Sequence, residues 1–523
     1  MTAVSETPAP VPEALGSAAL AADLDAADFR SEPLRRLWGE EADDALARGM
    51  REPILRAVAG DSGVLATLGR LLVLGIPQPR AAVAEALPRL GVDGLVALGL
   101  STADAEIVTP AALLRPQSFV DAEGVGEWWI ASDLDEVALD GALPADHVLG
   151  VGGASRTLAE TIVPIEVDRA LDLGTGCGIQ ALLVARRART VIATDISSRA
   201  LAYAELNARL NGVSNIEFRQ GSMFEPVAGE AFDLIVSNPP FVITPRVDGV
   251  PAYEYRDGGL VGDALVEQFV RTAPAFLTSG GIAQLLGNWE SRGGVAGLAR
   301  LDAWVPGDLD LWVIEREQLT PLGYAELWIR DGGTTPRDPG FTPLLTAWLD
   351  DFAARGVTSV GFGYVLIRRP STGSGAPTGS GPSTGSGTQA AGCTPVRRKE
   401  RVSQPVSNVG AALATGLAAH DLLAGGVPAT LVTAADVTEA RHLLPGNDDP
   451  SVIELHQGGG FARTLNVDPA LAAFVGACDG ELTVGQIVAA LADLFEVPLA
   501  DLWTELEPRI RALVFDGFLV PGE

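Results

Sequence analysis

Leu171-Asp172-Leu173-Gly174-Thr175-Gly176-Cys177-Gly178-Ile179-Gln180 joins an apolar strand to an apolar helix through three alternating glycines. Such a turn lets the backbone reverse sharply and lets a ligand approach without meeting a Cβ. The helix opens near Ile179, and its first amides offer partial positive charge to a carboxylate or phosphate. The next apolar run, Val191-Ile192-Ala193-Thr194-Asp195, ends on an acid able to accept both hydroxyls of a ribose. These features suit any ribose-bearing cofactor.

A second run, Asn238-Pro239-Pro240-Phe241, follows the apolar strand Asp233-Leu234-Ile235-Val236-Ser237, at the carboxyl end where open parallel sheets bind ligands. Its prolines fix φ and remove backbone donors. The Asn238 side-chain carbonyl and the Pro239 backbone carbonyl can then accept both protons of a planar NH₂ group, with the Phe241 ring stacked on its π face. Orientation and electrostatics would supply the rate, with no metal and no dedicated strong base required.

Around these motifs, residues 146–370 alternate between strand and helix, which predicts a parallel sheet with helices on both faces. Strands are expected at 169–173, 190–194, 216–220, 232–237, 281–286, 309–314 and 361–367, and helices at 179–187, 199–211, 265–276, 324–329 and 343–354. Seven strands exceed the six of an ordinary dinucleotide fold. Before them, residues 1–30 read as a loose Ala/Pro/acidic tail. Residues 31–140 read as an accessory domain of helices followed by a small ribbon, of winged-helix type or a packing module. Residues 371–392 repeat Thr-Gly-Ser-Gly at 372, 378 and 384 and predict a flexible insertion. Residues 393–523 predict a second accessory domain, opening on an edge strand with a basic cluster at Arg397, Arg398, Lys399 and Arg401, and ending in a small winged-helix-like unit.

The chain has 37 basic and 67 acidic residues, a formal charge of −30. That balance opposes broad nucleic-acid binding, which depends on neutralising phosphates. No uninterrupted apolar run approaches the roughly 18 residues of a membrane span, and the first residues lack a secretory pattern, so a cytoplasmic protein is expected. Cys177, Cys393 and Cys478 are too few and too scattered for a disulfide framework or a structural zinc site. Cys177 reads as a small filler, His147 as a surface or hinge residue, and Trp289 as core.

The D-x-G-x-G-x-G form, with its acid before the first glycine, resembles the nucleotide-binding signature of class I methyltransferases that use S-adenosylmethionine. Asn-Pro-Pro-Phe resembles the catalytic motif of amino-methyltransferases acting on nucleobase amines and of release-factor glutamine methyltransferases. The resemblance implies a seven-stranded Rossmann-like domain flanked by the accessory domains, with Asn238, Pro239, Pro240 and Phe241 catalytic. It implies S-adenosyl-L-methionine held by Asp172 near the methionine amino group, Gly174, Thr175, Gly176 and Gly178 in the turn, and Asp195 on the ribose. Ile196, Ser222, Met223 and Asn238 complete that set. Ser222 stands where many members carry an Asp on the adenine amine, and Gly150–Glu160 stands in place of the P-R-P-x-T-E segment of glutamine-specific members. Arg156 and Thr157 there are candidate substrate residues, and Tyr255-Arg256-Asp257-Gly258-Gly259 a lid or an ordinary loop. Implied partners are a protein glutamine side chain or, alternatively, an exocyclic amine of rRNA, tRNA or DNA. From another class, a non-catalytic nucleoside-binding regulator or an NAD-dependent oxidoreductase would share the glycine turn, but Asn-Pro-Pro-Phe has no role in hydride transfer and a degenerate sensor would be expected to have lost either the acids or the asparagine.

Overall fold

The computed structural model describes residues 9–121, 124–139, 143–144, 146–247, 249–250, 256–371, 394–404 and 406–522. The chain divides into two compact units, Met1–Ala159 with Glu166–Thr372, and Glu160–Ile165 with Gly373–Glu523. From 372 onward, the repeat-bearing segment expected to be flexible lies outside the described residues.

The first unit is built on a mixed α/β sheet. Its strands are β1 (Val167–Leu173), β2 (Ala188–Asp195), β3 (Ile216–Gln220), β4 (Phe232–Ser237), β5 (Leu277–Arg292), β6 (Asp310–Leu319) and β7 (Val357–Arg368). Between them run α1 (Ile179–Ala185), α2 (Ser198–Leu210), α3 (Ala264–Thr272), α4 (Gly297–Trp304), and the pair α5 (Pro321–Asp331) and α6 (Phe341–Ala354). Every segment expected as a strand is one, with matching bounds in β3 and β4 and longer strands elsewhere. Long buried runs such as Ala170–Leu173 and Leu234–Ser237 explain this, because a parallel strand covered on both faces is apolar throughout. Across the unit the strands lie in the order β6, β7, β5, β4, β1, β2, β3. All neighbours pair parallel except β7, which runs antiparallel to both β5 and β6. The chain order reverses between β1 and β4, and the crevice above that reversal is where such sheets hold ligands.

One face of the sheet packs on α3 and α4 through Leu171, Ile235, Leu285, Phe269 and Trp304. Trp289, on β5, is fully buried in this core and donates its indole N–H to Glu315 Oε2 at 3.0 Å. The other face packs on α1 and α2, and the N-terminal helices continue the same core, with Leu20, Leu24, Phe29 and Ile130 joining Leu182, Tyr203 and Leu206. The expectation of a loose tail over residues 1–30 does not hold from Ala14 to Ala26, a helix whose Leu20 and Leu24 are 0% exposed, and residues 1–8 of that stretch lie outside the described residues. Its alanines gave a composition that reads as disordered, whereas two leucines one turn apart are enough to anchor it.

Asn207, itself fully buried, ties this N-terminal region to the sheet. Its Oδ1 accepts from Ala131 N (2.7 Å), while its Nδ2 donates to the carbonyls of Ala131 (3.0 Å) and Cys177 (2.8 Å). The last bond links the hairpin of Ala112–Asp121 and Gly124–Asp133 to the glycine turn through one side chain. His147 is buried, not at the surface, and lies 4.0 Å from Asp133, beside the Asp133–Arg199 ion pair. Burial lowers its pKa.

The second unit holds two three-stranded sheets. One has Thr430–Thr433 between Asp479–Thr483 and Leu519–Pro521, and the other is the meander Val437–Leu443, Pro450–Gln457 and Thr464–Val467. Helices Pro469–Gly476, Val484–Phe495 and Leu499–Phe515 close over a core that includes Phe474, Val488, Leu506 and Phe518. The expected basic strand is Arg397–Arg401, and its Arg398 is held in ion pairs with Asp516 and Glu400. Among the described residues no helix is long and apolar enough to cross a membrane.

Candidate active site

Parallel pairing aligns the carboxyl ends of β1, β2 and β4, with Leu173 opposite both Thr194 and Ser237. Gly174, Asp195 and Asn238, the residues that follow, therefore leave the sheet side by side. Ser237 locks the level by donating its hydroxyl to Leu173 O at 2.7 Å. On the far side Asp195 is opposite Gln220, which brings Gly221 and Ser222 to the same rim.

The three glycines all take positive φ, at 77°, 54° and 87° for Gly174, Gly176 and Gly178, a region that side chains disfavour. Their surroundings differ. A Cβ on Gly174 or Gly176 would meet nothing within 4 Å, so this side of the turn is an open cradle. A Cβ on Gly178 would come within 2.9 Å of Ala204 Cβ, so that glycine admits α2 and does not face the cradle. Thr175 is also turned inward, donating its hydroxyl to Asp172 Oδ2 at 2.6 Å.

Asp172 is 1% exposed and lies under the turn, against Thr175 and the amide of Ala181. Burial pushes its carboxyl up to about 7, opposed by those two hydrogen bonds. The native chain thus retains between about pH 4 and 7 a proton that the unfolded chain has lost, so the group's contribution to stability falls as pH rises through that window. Asp172→Asn keeps an oxygen for Thr175 and removes this penalty. Denaturant unfolding is expected to show the variant more stable than wild type at pH 8, by on the order of 1–4 kcal/mol, with the gain shrinking towards pH 5. A gain that did not vary with pH would contradict this account.

Asp195 bridges turn and helix: its Oδ2 accepts from Gly176 N and its Oδ1 from Ser197 N, both at 2.9 Å. Each oxygen retains a lone pair. Burial raises its pKa against those amide bonds. Ser197 caps α2 by accepting from Ala200 N. Next to Asp195, Ile196 is 65% exposed, an apolar side chain standing open at the rim. Ser222 and Met223 are half-buried there, and Met223 takes φ 50°, a costly conformation for a residue with a Cβ.

Asn238 is half-buried, yet its Oδ1 is shielded from solvent and has no hydrogen-bond partner. A buried acceptor left unpaired costs roughly 1–3 kcal/mol, which fits a group reserved for a ligand donor. Its Nδ2 donates to Ser155 Oγ at 3.3 Å, and Ser155 O accepts from Gln180 Nε2 at 3.1 Å, so the first turn of the helix Gly153–Thr161 reaches both motifs. Ser155 lay unnoticed in the sequence between more conspicuous neighbours. Of those, Arg156 is exposed and Thr157 half-buried in the same turn.

Pro239 is buried and Pro240 half-buried. The Phe241 ring, also half-buried, lies 5.5 Å from Phe362 and edge-on to Trp328 at 6.5 Å. Behind it, Tyr324 OH accepts from Ile243 N (3.0 Å) and from Asn288 Nδ2 (2.5 Å). Nothing in the sequence marked Tyr324 or Asn288. Tyr255 lies outside the described residues. Arg256 and Asp257 pair with Val242 and Phe241, and Asp257 is clamped by Arg246, so this part of the loop is pinned beside the corner. Cys177 is buried and its thiol pushed up to about 11, consistent with a filler.

The methyltransferase small domain matches residues 149–293, and a domain of unknown function, DUF7059, matches residues 26–111. A Methanocaldococcus jannaschii protein provisionally named a protein N5-glutamine methyltransferase is 33% identical over 25% of this chain and 66% of its own length. The Bordetella pertussis ribosomal protein uL3 glutamine methyltransferase is 37% identical over 23% of this chain and 44% of its own. For the Xylella fastidiosa release factor glutamine methyltransferase the figures are 38%, 23% and 47%. The chain thus spans only about half to two thirds of the length of these relatives. Within those bounds, the segment 149–293 is similar to the methyltransferase small domain, and the chain is similar over about a quarter of its length to proteins named protein glutamine methyltransferases.

Proposed function

We propose that this chain is an S-adenosylmethionine-dependent N-methyltransferase acting on the side-chain amide of a protein glutamine. The observation that carries the reading is the unpaired, shielded Oδ1 of Asn238 standing beside an open glycine cradle at one level of the sheet. The residues fit the cofactor: the cradle has room at Gly174 and Gly176, Asp195 keeps free lone pairs for ribose hydroxyls, and the exposed Ile196 offers an apolar surface to a base. When bound, S-adenosylmethionine would supply a methyl group on an electrophilic sulfonium sulfur.

The chain's own part is orientation. Asn238 Oδ1 and Pro239 O accept the two amide protons, which fixes the NH₂ plane and draws electron density onto nitrogen. Ser155 holds the Asn238 carboxamide by accepting from its Nδ2, so that Oδ1 faces the acceptor. Phe241 presents its ring to the amide while Phe362 and Trp328 support it from behind. Asp172 and Thr175 shape the turn near the methionine end, and Ser222 and Met223 border the base. Arg156 and Thr157, at the mouth, would meet the acceptor chain.

A second reading, methylation of an exocyclic amine in RNA or DNA, draws on residues 78–110, where a short strand, two helices and two antiparallel strands follow the order of a winged helix. The charge of −30 and the engagement of Arg398 with acids weigh against it. Incubating the chain with methyl-labelled cofactor and fractionated cell extract separates the two. Label is expected in the protein fraction, as N5-methylglutamine after digestion. Label confined to nucleic acid or small molecules would refute the glutamine assignment.

A further inference from the structure

Past the corner Asn238-Pro239-Pro240-Phe241 the chain has left β4, yet Val242, Ile243 and Thr244 are all buried. Buried backbone outside a sheet must find its hydrogen-bond partners elsewhere. Here three successive residues are each met by a different part of the fold. Phe241 O accepts from Asn288 Nδ2 at 3.4 Å, Val242 N donates to Arg256 O at 2.8 Å, and Ile243 N donates to Tyr324 OH at 3.0 Å. Asn288 Nδ2 also donates to Tyr324 OH at 2.5 Å, which joins the first and third contacts into one clamp.

Both clamp residues come from extensions beyond the parallel strands. β5 is level with Ser237 at Leu285, so Asn288 stands past the point where β4 ends. Tyr324 lies on α5, in the helical pair inserted between β6 and β7, antiparallel neighbours that a short hairpin could have joined. Around its ring stand Trp328, Trp348 and Phe352, with centroids 6.1, 6.0 and 6.0 Å away. A phenylalanine would fill that apolar nest equally well, and a buried hydroxyl costs free energy unless it is bonded. Packing alone therefore gives no reason for this hydroxyl, whereas the corner does. Upstream, the corner is anchored by Ser237 on Leu173 O and by Ser155 on Asn238 Nδ2. The clamp is the downstream anchor, and the two prolines span the distance between them with φ fixed. Phe362, opposite Asn288 in the β5–β7 register, meets the Phe241 ring at 5.5 Å, so clamp and ring support share one rung.

We infer that Tyr324 and Asn288 are positioning residues for methyl transfer, setting the Pro239 carbonyl and the Phe241 ring through the backbone of Phe241 and Ile243. The inference rests on the N-methyltransferase reading of the site. Such transfer depends on placement, and a displacement of about 1 Å can lower a rate about 10²-fold. The inserted helix α5 thereby becomes part of the frame that aims the acceptor nitrogen.

Tyr324→Phe keeps the ring and removes the hydroxyl. Its single-turnover rate is expected to fall about 10–10²-fold, with affinity for S-adenosylhomocysteine within about twofold of wild type. Ile329→Ala takes apolar volume from the same cluster and no hydrogen bond from the corner, so it is expected to lower the melting temperature while turnover stays within about twofold. A second readout needs no methyl transfer, so failure of the clamp is distinguishable from failure of the N-methyltransferase reading. In the full chain labelled with ¹⁵N-isoleucine, Ile243→Val identifies the Ile243 amide resonance. Its hydrogen exchange is expected to be at least about tenfold faster in Tyr324→Phe and near wild type in Ile329→Ala. Unchanged exchange or unchanged turnover in Tyr324→Phe would overturn the proposal. So would an equal loss of turnover in Ile329→Ala, by making the effect one of stability alone.

Discussion

Asn238→Ala is expected to lower the turnover of methyl transfer by about 10²–10³-fold while leaving cofactor affinity within a few-fold of wild type. The expected size is that of removing one preorganised polar group from a transition state, roughly 3–4 kcal/mol. Cofactor affinity should hold because the cradle is built by other residues, the glycine turn and Asp195. Folding should hold too: the substitution deletes a shielded oxygen without a partner and one 3.3 Å bond to Ser155, neither of which supports the core. Single-turnover rates at saturating cofactor, beside a direct binding measurement, check both halves. Undiminished turnover would remove the orienting role, and parallel loss of binding and turnover would make Asn238 part of the cradle instead.

Asp195→Ala should have the opposite signature, a loss of cofactor affinity of about 10²-fold or more. Hydrogen bonds to a charged acceptor contribute roughly 1.5–3 kcal/mol each, and this carboxylate could offer two to a ribose. The same side chain receives the amides of Gly176 and Ser197, so its removal also frees the turn from α2. Because burial raises the pKa of Asp195, affinity in the wild type should weaken as pH falls and the acid takes up its proton. That dependence should be absent from the variant's residual binding. Isothermal titration with S-adenosylhomocysteine across pH would show both effects. Near-normal affinity in the variant would contradict the ribose assignment.

Much of this arrangement could be read from the residues. Strands β1, β2 and β4 are short, apolar and bounded by turn signals, and their order fixed which motifs would meet at the carboxyl edge. The glycines could not be told apart, since nothing in D-x-G-x-G-x-G says that Gly178 meets Ala204 while Gly174 and Gly176 face open space. Nor does the acid of that motif reveal its direction. Asp172 proved to be sealed beneath the turn against Thr175, a fact of packing with no local signature.

Contacts distant in sequence were the least legible. Asn207 joins the hairpin to the glycine turn across 76 and 30 residues, and a polar residue in a helix carries no mark of such partners. The helices of α5 and α6 were expected, but not that Tyr324 would hold Ile243 just past Phe241. The helix Ala14–Ala26 is hidden for a related reason, because composition averages over residues and two leucines on one helix face decide burial.

The central claim is that the glycine cradle and the proline-fixed corner serve one bound cofactor. A crystal structure of the chain with S-adenosylhomocysteine tests it most directly. The claim predicts ribose hydroxyls on Asp195 and the thioether sulfur directed towards the space in front of the Asn238 carboxamide. A ligand whose sulfur points away from Asn238, or a corner closed off from the ligand by the first turn of Gly153–Thr161, would contradict it.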